Sequence, residues 1–375
     1  MSVRSHPAAP QTMPAAGFIA DRPDLGHAAD GWDLSDASFF AAALNPTEPR
    51  HLPPTAYRSL AFANLEDDAV WTRNWVCIGT LEEIPRTNDL LPFTVGHHGI
   101  HVQKRADGGL VGRFNKAQHG GCRAVPLQCQ TGTKTRCSFT ACGYSRDGLP
   151  IAATSDGGPT PAMHQYLGLR PERLLPVAVR TSGSMIFVNL DVGATSEPLQ
   201  NLAFEDESSG PIGTIQTIRR EYPINWKLLL GAFAAGDVAL PTSDSLWLTT
   251  RLKDGTAAEA RVLFPNLILF SARGETCAVI VQPTALGETL CRIALFGSRA
   301  RSAVDWLAEL DSRSRQATEL QRDLLDSPET SVAPHHPFPN AAERWLHRRL
   351  AAAVRARPQI DTTEPLYATA LGRRR

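Results

Sequence analysis

The side chains best suited to hold a metal ion are a histidine and three cysteines within one short stretch. His119-x2-Cys122 is followed by Cys137-x4-Cys142, with Cys129 between them. Imidazole nitrogen and thiolate sulfur in that mixture suit a closed tetrahedral zinc site, with four protein ligands and no position left for catalysis. His119, Cys122, Cys137 and Cys142 are therefore the candidate ligands of a structural zinc, and no catalytic residue is assigned. Two other outcomes stay open: a local disulfide such as Cys122–Cys137, or inert thiols acting as small buried hydrophobes.

Elsewhere the chemistry is sparse. From Gln165 to Pro334 the chain contains no histidine. A non-haem iron centre built on two imidazoles and a carboxylate would find neither imidazole there. His97, His98 and His101 sit beside a turn, where an exposed structural role is expected. His335-His336 before Pro337 reads as a solvated loop. Asp237 and Asp244 have no neighbouring His or Lys to tune them as a general-acid pair, so helix-end or turn roles are expected. Lys227 is expected to stabilise its helix. Ser243, beside Asp244 and Ser245, lacks the base that a nucleophilic hydroxyl needs.

Composition narrows the class. The chain has 375 residues, 42% hydrophobic and 20% charged, with a formal net charge of zero. That describes a globular protein large enough for one big core or two ordinary ones. No basic run precedes the terminal Arg373, Arg374 and Arg375, so a phosphate-binding surface for nucleic acid is not expected. No apolar stretch approaches the ~20 residues of a membrane helix. The first thirty residues, rich in Ala and Pro, read as a flexible arm rather than a signal peptide. An odd count of seven cysteines fits a cytoplasmic protein better than a disulfide scaffold.

The elements that must position these residues follow from periodicity. Phe62, Leu65, Ala69 and Val70 predict a helix over 60–75. Short apolar runs between turn residues predict a small all-β unit over 76–150. A connector spans Gly157 to Pro171, followed by strands at 175–179, 184–190, 261–270, 277–283 and 291–296. Asn225 after Pro223 predicts the N-cap of a helix beginning Trp226-Lys227-Leu228. A long helix follows over 302–325, with Trp306, Leu310, Ala317, Leu320 and Leu324 on one stripe, then an amphipathic helix over 341–356.

Several phrases in fixed order resemble a known family. They are Asn74-Trp75-Val76-Cys77-Ile78-Gly79, Phe114-Asn115 leading to the histidine loop, and Tyr144 through Asp147-Gly148. Phe187-Val188-Asn189-Leu190-Asp191, Asn225-Trp226-Lys227-Leu228-Leu229-Leu230 and Phe264-Pro265-Asn266 complete the set. Together, over roughly residues 50–355, they resemble the α-subunits of Rieske-type non-haem iron ring-hydroxylating oxygenases. The resemblance implies an α+β architecture: a Rieske-like antiparallel β domain plus a helix-grip domain, an antiparallel sheet around a C-terminal helix. The implied boundaries are an arm at 1–50, a helix of the helix-grip domain at 51–75 and the Rieske-like domain at 76–170. The helix-grip domain would span 171–357 and a tail 358–375.

The resemblance also implies where ligands should be, and this sequence departs from it. A Rieske cluster takes a Cys-x-His and a Cys-x-x-His loop. The matching loops read Ala117-Gln118-His119 and Cys137-Ser138-Phe139-Thr140, one donor short in each. For the mononuclear iron, Ala235 replaces the bridging acid, Val238 and Ser243 replace the histidines, and Arg313 replaces the aspartate. Arg313 lies in the buried stripe, so its guanidinium should point inward and pair with Asp237 or Asp244. Asp311 would be turned about 200° away at 3.6 residues per turn. Neither a complete 2Fe-2S cluster nor a mononuclear iron is expected. The function implied is a catalytically silent subunit that assembles as a trimer or hexamer, with itself or with an active paralogous α-subunit. The alternatives are a small-molecule binding protein with an apolar ligand in the helix-grip cavity, made roomier by Ala235 and Val238, or an oxidoreductase with a non-standard metal site.

Overall fold

The computed structural model describes residues 34, 37–115, 149–191, 214–242, 244–297, 302–326 and 339–356. The candidate zinc ligands His119, Cys122, Cys137 and Cys142 lie outside these residues. So do Ala117, Cys129, Thr140, Ser243, His335-His336, most of the expected arm and the tail.

Two antiparallel sheets form the framework. Short helices α1 (Ala37–Ala41), α2 (Thr55–Arg58) and α3 (Leu60–Glu66) come first, and a π-helical turn, Asp67–Trp71, follows. The single helix expected over 60–75 is thus a short helix plus a wider turn, and the chain is extended from Val76. Strands β1 (Val76–Thr80), β2 (Leu90–Val95), β3 (His98–Lys104), β4 (Leu110–Phe114), β5 (Pro176–Ser182) and β6 (Met185–Asn189) make the smaller sheet, in the order β1-β6-β5-β4-β3-β2. A one-turn helix α4 (His164–Leu167) precedes β5.

The larger sheet contains β7 (Thr214–Tyr222), β8 (Asp237–Pro241), β9 (Ser245–Arg251), β10 (Ala257–Leu263), β11 (Leu267–Ala272), β12 (Glu275–Ala285) and β13 (Glu288–Phe296). Their order is β7-β13-β12-β11-β10-β9-β8. Helices α5 (Trp226–Phe233), α6 (Ala303–Asp326) and α7 (Ala341–Ala356) pack on it.

Sheet membership shifts one expected boundary. The strands at 176–189, expected in the second domain, pair with β4 and β1 of the smaller sheet. Apolar alternation reports that a segment is a strand but not which neighbour it finds. The apolar run over 261–270 is likewise a hairpin, β10–β11, turning at Phe264-Pro265-Asn266.

One continuous apolar core joins α1, α3, both sheets and α5 to α7, while Leu90, Ala153, Met163, Tyr166 and Leu167 form a smaller second one. The stripe Trp306, Leu310, Ala317, Leu320, Leu324 is buried as its spacing requires. Each leucine of the stripe contributes about 1.5–3 kcal/mol on burial. Asn225 caps α5, its Oδ1 accepting from Lys227 N at 3.1 Å, while its amide donates to Leu286 O at 2.6 Å. Asn266 ties the sheets together: its amide donates to Cys77 O at 2.8 Å and accepts from Cys77 N at 3.0 Å. Among the described residues no helix is long and apolar enough to cross a membrane.

Candidate functional site

The end of α5 and the middle of α6 meet at the position where the resemblance puts a mononuclear iron. Helix α5 stops at Phe233, Ala234 is its C-cap, and the chain passes through Ala235 into β8. The last carbonyls of a helix have no partner within it, so this end needs an external donor. Arg313 of α6 supplies it. Its Nη1 donates to Phe233 O at 3.0 Å and Ala235 O at 3.2 Å. Its Nη2 donates to Thr250 Oγ1 at 3.1 Å and Arg251 O at 2.9 Å. Its Nε donates to Glu309 Oε1 at 2.6 Å. These acceptors match the five N–H donors that a guanidinium carries.

The guanidinium also lies over the Phe270 ring, 5.2 Å from its centroid. The side chains of Arg313 and Glu309 are only 10% and 8% exposed, which turns an i,i+4 pair into a shielded one. Glu309 is further engaged by Lys253 N, 2.6 Å from Oε2.

Arg313 therefore points inward as its place in the stripe requires, but its acidic partner is Glu309. Asp244 pairs instead with Arg349 at 2.7 Å, and Asp237 is exposed on β8. Asp311 is turned away, accepting from Tyr222 Oη and Arg220 Nη2 at 2.9 Å each. Val238 lies on β8 with 43% of its surface exposed. The helix expected to carry it ends five residues earlier, so Val238 does not enlarge an internal cavity.

The residues placed here do not fit a mononuclear iron. Ala235 and Val238 offer no donor atom, and Arg313 brings a fixed positive charge. Among the described residues no group of three or more His, Cys, Asp or Glu side chains is arranged to hold a metal.

A second polar cluster, absent from the sequence expectations, lies where α5 meets α7 and the N-terminal helices. Lys227 Nζ and Glu66 Oε1 are 2.8 Å apart, with side chains 1% and 6% exposed. Burial pushes the lysine down and the glutamate up, and each opposes the other's shift by its charge. On α7, Glu343 is pushed up to about 7 by burial, and His347 down to about 3 by burial and the nearby His51 and Lys227. The sequence signal was Lys227 one turn before Gly231. A Cβ on that glycine would overlap Glu343 Cγ, so the α5 face that looks polar is a packed one.

The turn histidines divide. His98 Nε2 lies 2.9 Å from Asp67 Oδ2, and the backbone N of His97 donates to Asp67 Oδ1 at 3.0 Å. His101, expected to be exposed, is fully buried. Its Nδ1 lies 2.9 Å from Asn115 Oδ1, and burial pushes its pKa down to about 4.

No protein-family model matches the chain. Among curated proteins, the oxygenase subunit of carnitine monooxygenase from Acinetobacter baumannii is 22% identical over 193 residues, 50% of each chain. The oxygenase subunit of glycine betaine monooxygenase from Pseudomonas aeruginosa is 25% identical over 187 residues, 48% of this chain and 41% of the relative. The chain thus spans about half the length of the curated relatives it matches. Among solved structures, the quaternary ammonium Rieske monooxygenase CntA with γ-butyrobetaine aligns with a TM-score of 0.54 at 13% identity. That alignment covers 85% of this chain and 99% of the other, and at such identity it speaks for the fold. A further structure of a quaternary ammonium Rieske monooxygenase, described for inter-subunit electron transfer, aligns at 0.52 and 13%, covering 82% and 96%. The homologues and structural neighbours of this chain are α-subunits of Rieske non-haem iron oxygenases.

Proposed function

We propose that this chain is a non-catalytic α-type subunit, which keeps the oxygenase fold in order to assemble with itself or with a ligand-complete paralogue. Its role is to stabilise or regulate the active copies in a trimeric or hexameric ring. Arg313 carries this reading. Its guanidinium hydrogen-bonds Ala235 O, so the position assigned to the iron's carboxylate touches the one assigned to the bridging acid, and the first is filled by a self-satisfied cation. A divalent metal placed there would have to displace a guanidinium already paired with Glu309, and the side chain of Ala235 offers it no donor atom.

Inter-subunit electron transfer is described for a structural neighbour. In such an arrangement a copy without chemistry still supplies the contacts that its neighbours need. His119, Cys122, Cys137 and Cys142 hold a structural zinc in this reading, and the loop that lost cluster ligands keeps a metal for shape alone.

Co-expression with a ligand-complete paralogue tests the proposal. Mixed oligomers are expected, with the paralogue's activity or thermal stability changed by this chain. Indifference of both assembly and activity overturns it. Metal analysis of the isolated chain gives the second arm: about one zinc and no iron is expected, and a red-brown protein with about three irons per protomer overturns the reading.

A further inference from the structure

One face of the larger sheet packs on α6, and a charged groove lies on the other. Phe270 on β11 touches Trp306 and Arg313 of α6, so Ser271, the next residue, points away from the helices. Ser271 is in register with Glu259 on β10, Glu259 with Thr249 on β9, and Thr249 with Asp237 on β8. All four are exposed, and together with Arg251 they line a groove of about 700 Å³. Neighbouring strands are about 4.8 Å apart, so Asp237 and Glu259 start about 10 Å from each other. Arg251 stands on the strand between them, two residues beyond Thr249, and so lies to one side of the line that joins the two carboxylates.

The outer side of α6 carries the inverse pattern. Arg315, Glu319 and Arg322 are exposed there, opposite the buried stripe of Leu310, Ala317 and Leu324. Seven residues at 1.5 Å each put Arg315 and Arg322 about 10.5 Å apart along the axis, and only about 20° apart around it. Glu319 stands between them, about 50° to one side. Two cations flanking an offset anion thus match, in spacing and in offset, two anions flanking an offset cation. Among the described residues none of these six side chains forms an ion pair. The two patterns lie on opposite sides of the same sheet, so they cannot meet within one chain.

We propose that α6 of one copy docks across the β8–β10 groove of the next, with Arg315 and Arg322 on Asp237 and Glu259, and Glu319 on Arg251. One helix direction alone places Glu319 on the Arg251 side, so the contact has a defined polarity. Each copy offers both halves, which makes the contact head-to-tail, the type that closes rings. It names the surfaces of the self-assembly put forward above and rests on that reading. Exposed charges of this kind fix partner and register more than affinity, and repetition around a ring strengthens the whole.

Sedimentation velocity on the full chain, at low and at high sodium chloride, reads the assembly. The wild type is expected to associate at low salt and to weaken as salt screens the pairs. Asp237→Arg/Glu259→Arg and Arg315→Glu/Arg322→Glu each set like charges face to face, and each should weaken association by about tenfold or more. The chain with all four substitutions restores opposite charges and should associate as the wild type does, a rescue that misfolding would not give. Glu259→Gln and Arg322→Gln, each expected to weaken association about threefold, decide the matter if a reversed variant does not fold. Association indifferent to the reversals, or defects that add in the fourfold variant, overturn this contact and leave self-assembly standing. A wild-type chain that stays monomeric overturns it as well, and co-expression with the paralogue then judges the broader reading by itself.

Discussion

Lys227 and Glu66 meet 2.8 Å apart inside the core, with Lys227 Nζ also 5.4 Å from the Tyr57 and Phe62 ring centroids and 5.3 Å from that of Trp226. The pair joins α5 to α3, and each charge depends on the other for its solvation. Lys227→Met should leave the Glu66 carboxylate stranded and lower stability by about 3–5 kcal/mol. Lys227→Met/Glu66→Met should regain most of that loss. Urea denaturation of the two single variants and the double one measures the coupling; additive losses would contradict it.

Glu343 gives the fold a pH dependence of known sign. Its folded pKa, about 7, lies above its ordinary value of 4.5. The folded state therefore holds the proton more tightly, and the associated stability is complete below pH 4.5 and lost as pH rises through 7. Glu343→Gln removes this term while retaining an acceptor for the Asn340 N–H, which Glu343 Oε2 meets at 2.7 Å. Its advantage over wild type should be near zero at pH 4.5 and reach about 3 kcal/mol above pH 7. Denaturant midpoints from pH 5 to 8 report it. A pH-independent difference would refute the assignment.

Arg313→Met should cost about 3–5 kcal/mol, because Glu309 is left buried without its cation and the end of α5 loses its donor. Arg313→Asp should be worse, placing a second carboxylate beside Glu309. Ferrous iron added anaerobically to Arg313→Asp is expected not to bind, since one restored carboxylate brings neither imidazole. Equilibrium dialysis measures this directly.

Gly231→Ala reverses the usual propensity. Alanine is favoured over glycine inside a helix by about 1 kcal/mol, yet its Cβ would overlap Glu343 Cγ. A net loss of about 1–3 kcal/mol is expected from overpacking. A more stable variant would show that α7 can withdraw without penalty.

Much of this architecture is legible in the sequence where local signals decide it. The stripe of α6, the amphipathic span of α7 and the Asn225 cap are set by residues a few positions apart, and the structure has them at those places. The inward turn of Arg313 was legible for the same reason. Its partner was also readable, because Glu309 stands four residues before it on the helix, the spacing at which opposite charges meet. Asp237 and Asp244 are near the motif in sequence, but one faces solvent and the other pairs with Arg349.

What escaped depends on contacts between distant segments. Glu66 and Lys227 are far apart in sequence, and no periodicity links them. His101 looked like a turn residue, but β3 is covered on both faces there, with Ile100, His101 and Val102 all buried. Strands β7, β8 and β9 were not anticipated, although β7 and β9 contain strand formers such as Thr, Ile and Trp. Only β8, with its alanine and proline, owes its extended form mainly to its neighbour in the sheet.

Asn266→Ala should cost about 2–4 kcal/mol, since both backbone groups of Cys77 lose their partner in a buried setting. Asn266→Asp keeps the acceptor and should lose less at low pH, where the protonated acid can again donate. Guanidinium unfolding at pH 4 and pH 7 separates the two.

The same side-chain amide has a consequence for behaviour at high concentration. Strand β1 is the outermost of its sheet, and a bare rim of that kind would invite a strand from another molecule to add on. All five of its residues are buried, and Asn266, by mimicking one residue of a neighbouring strand, takes both backbone groups of Cys77, so an incoming chain finds no continuous pairing there.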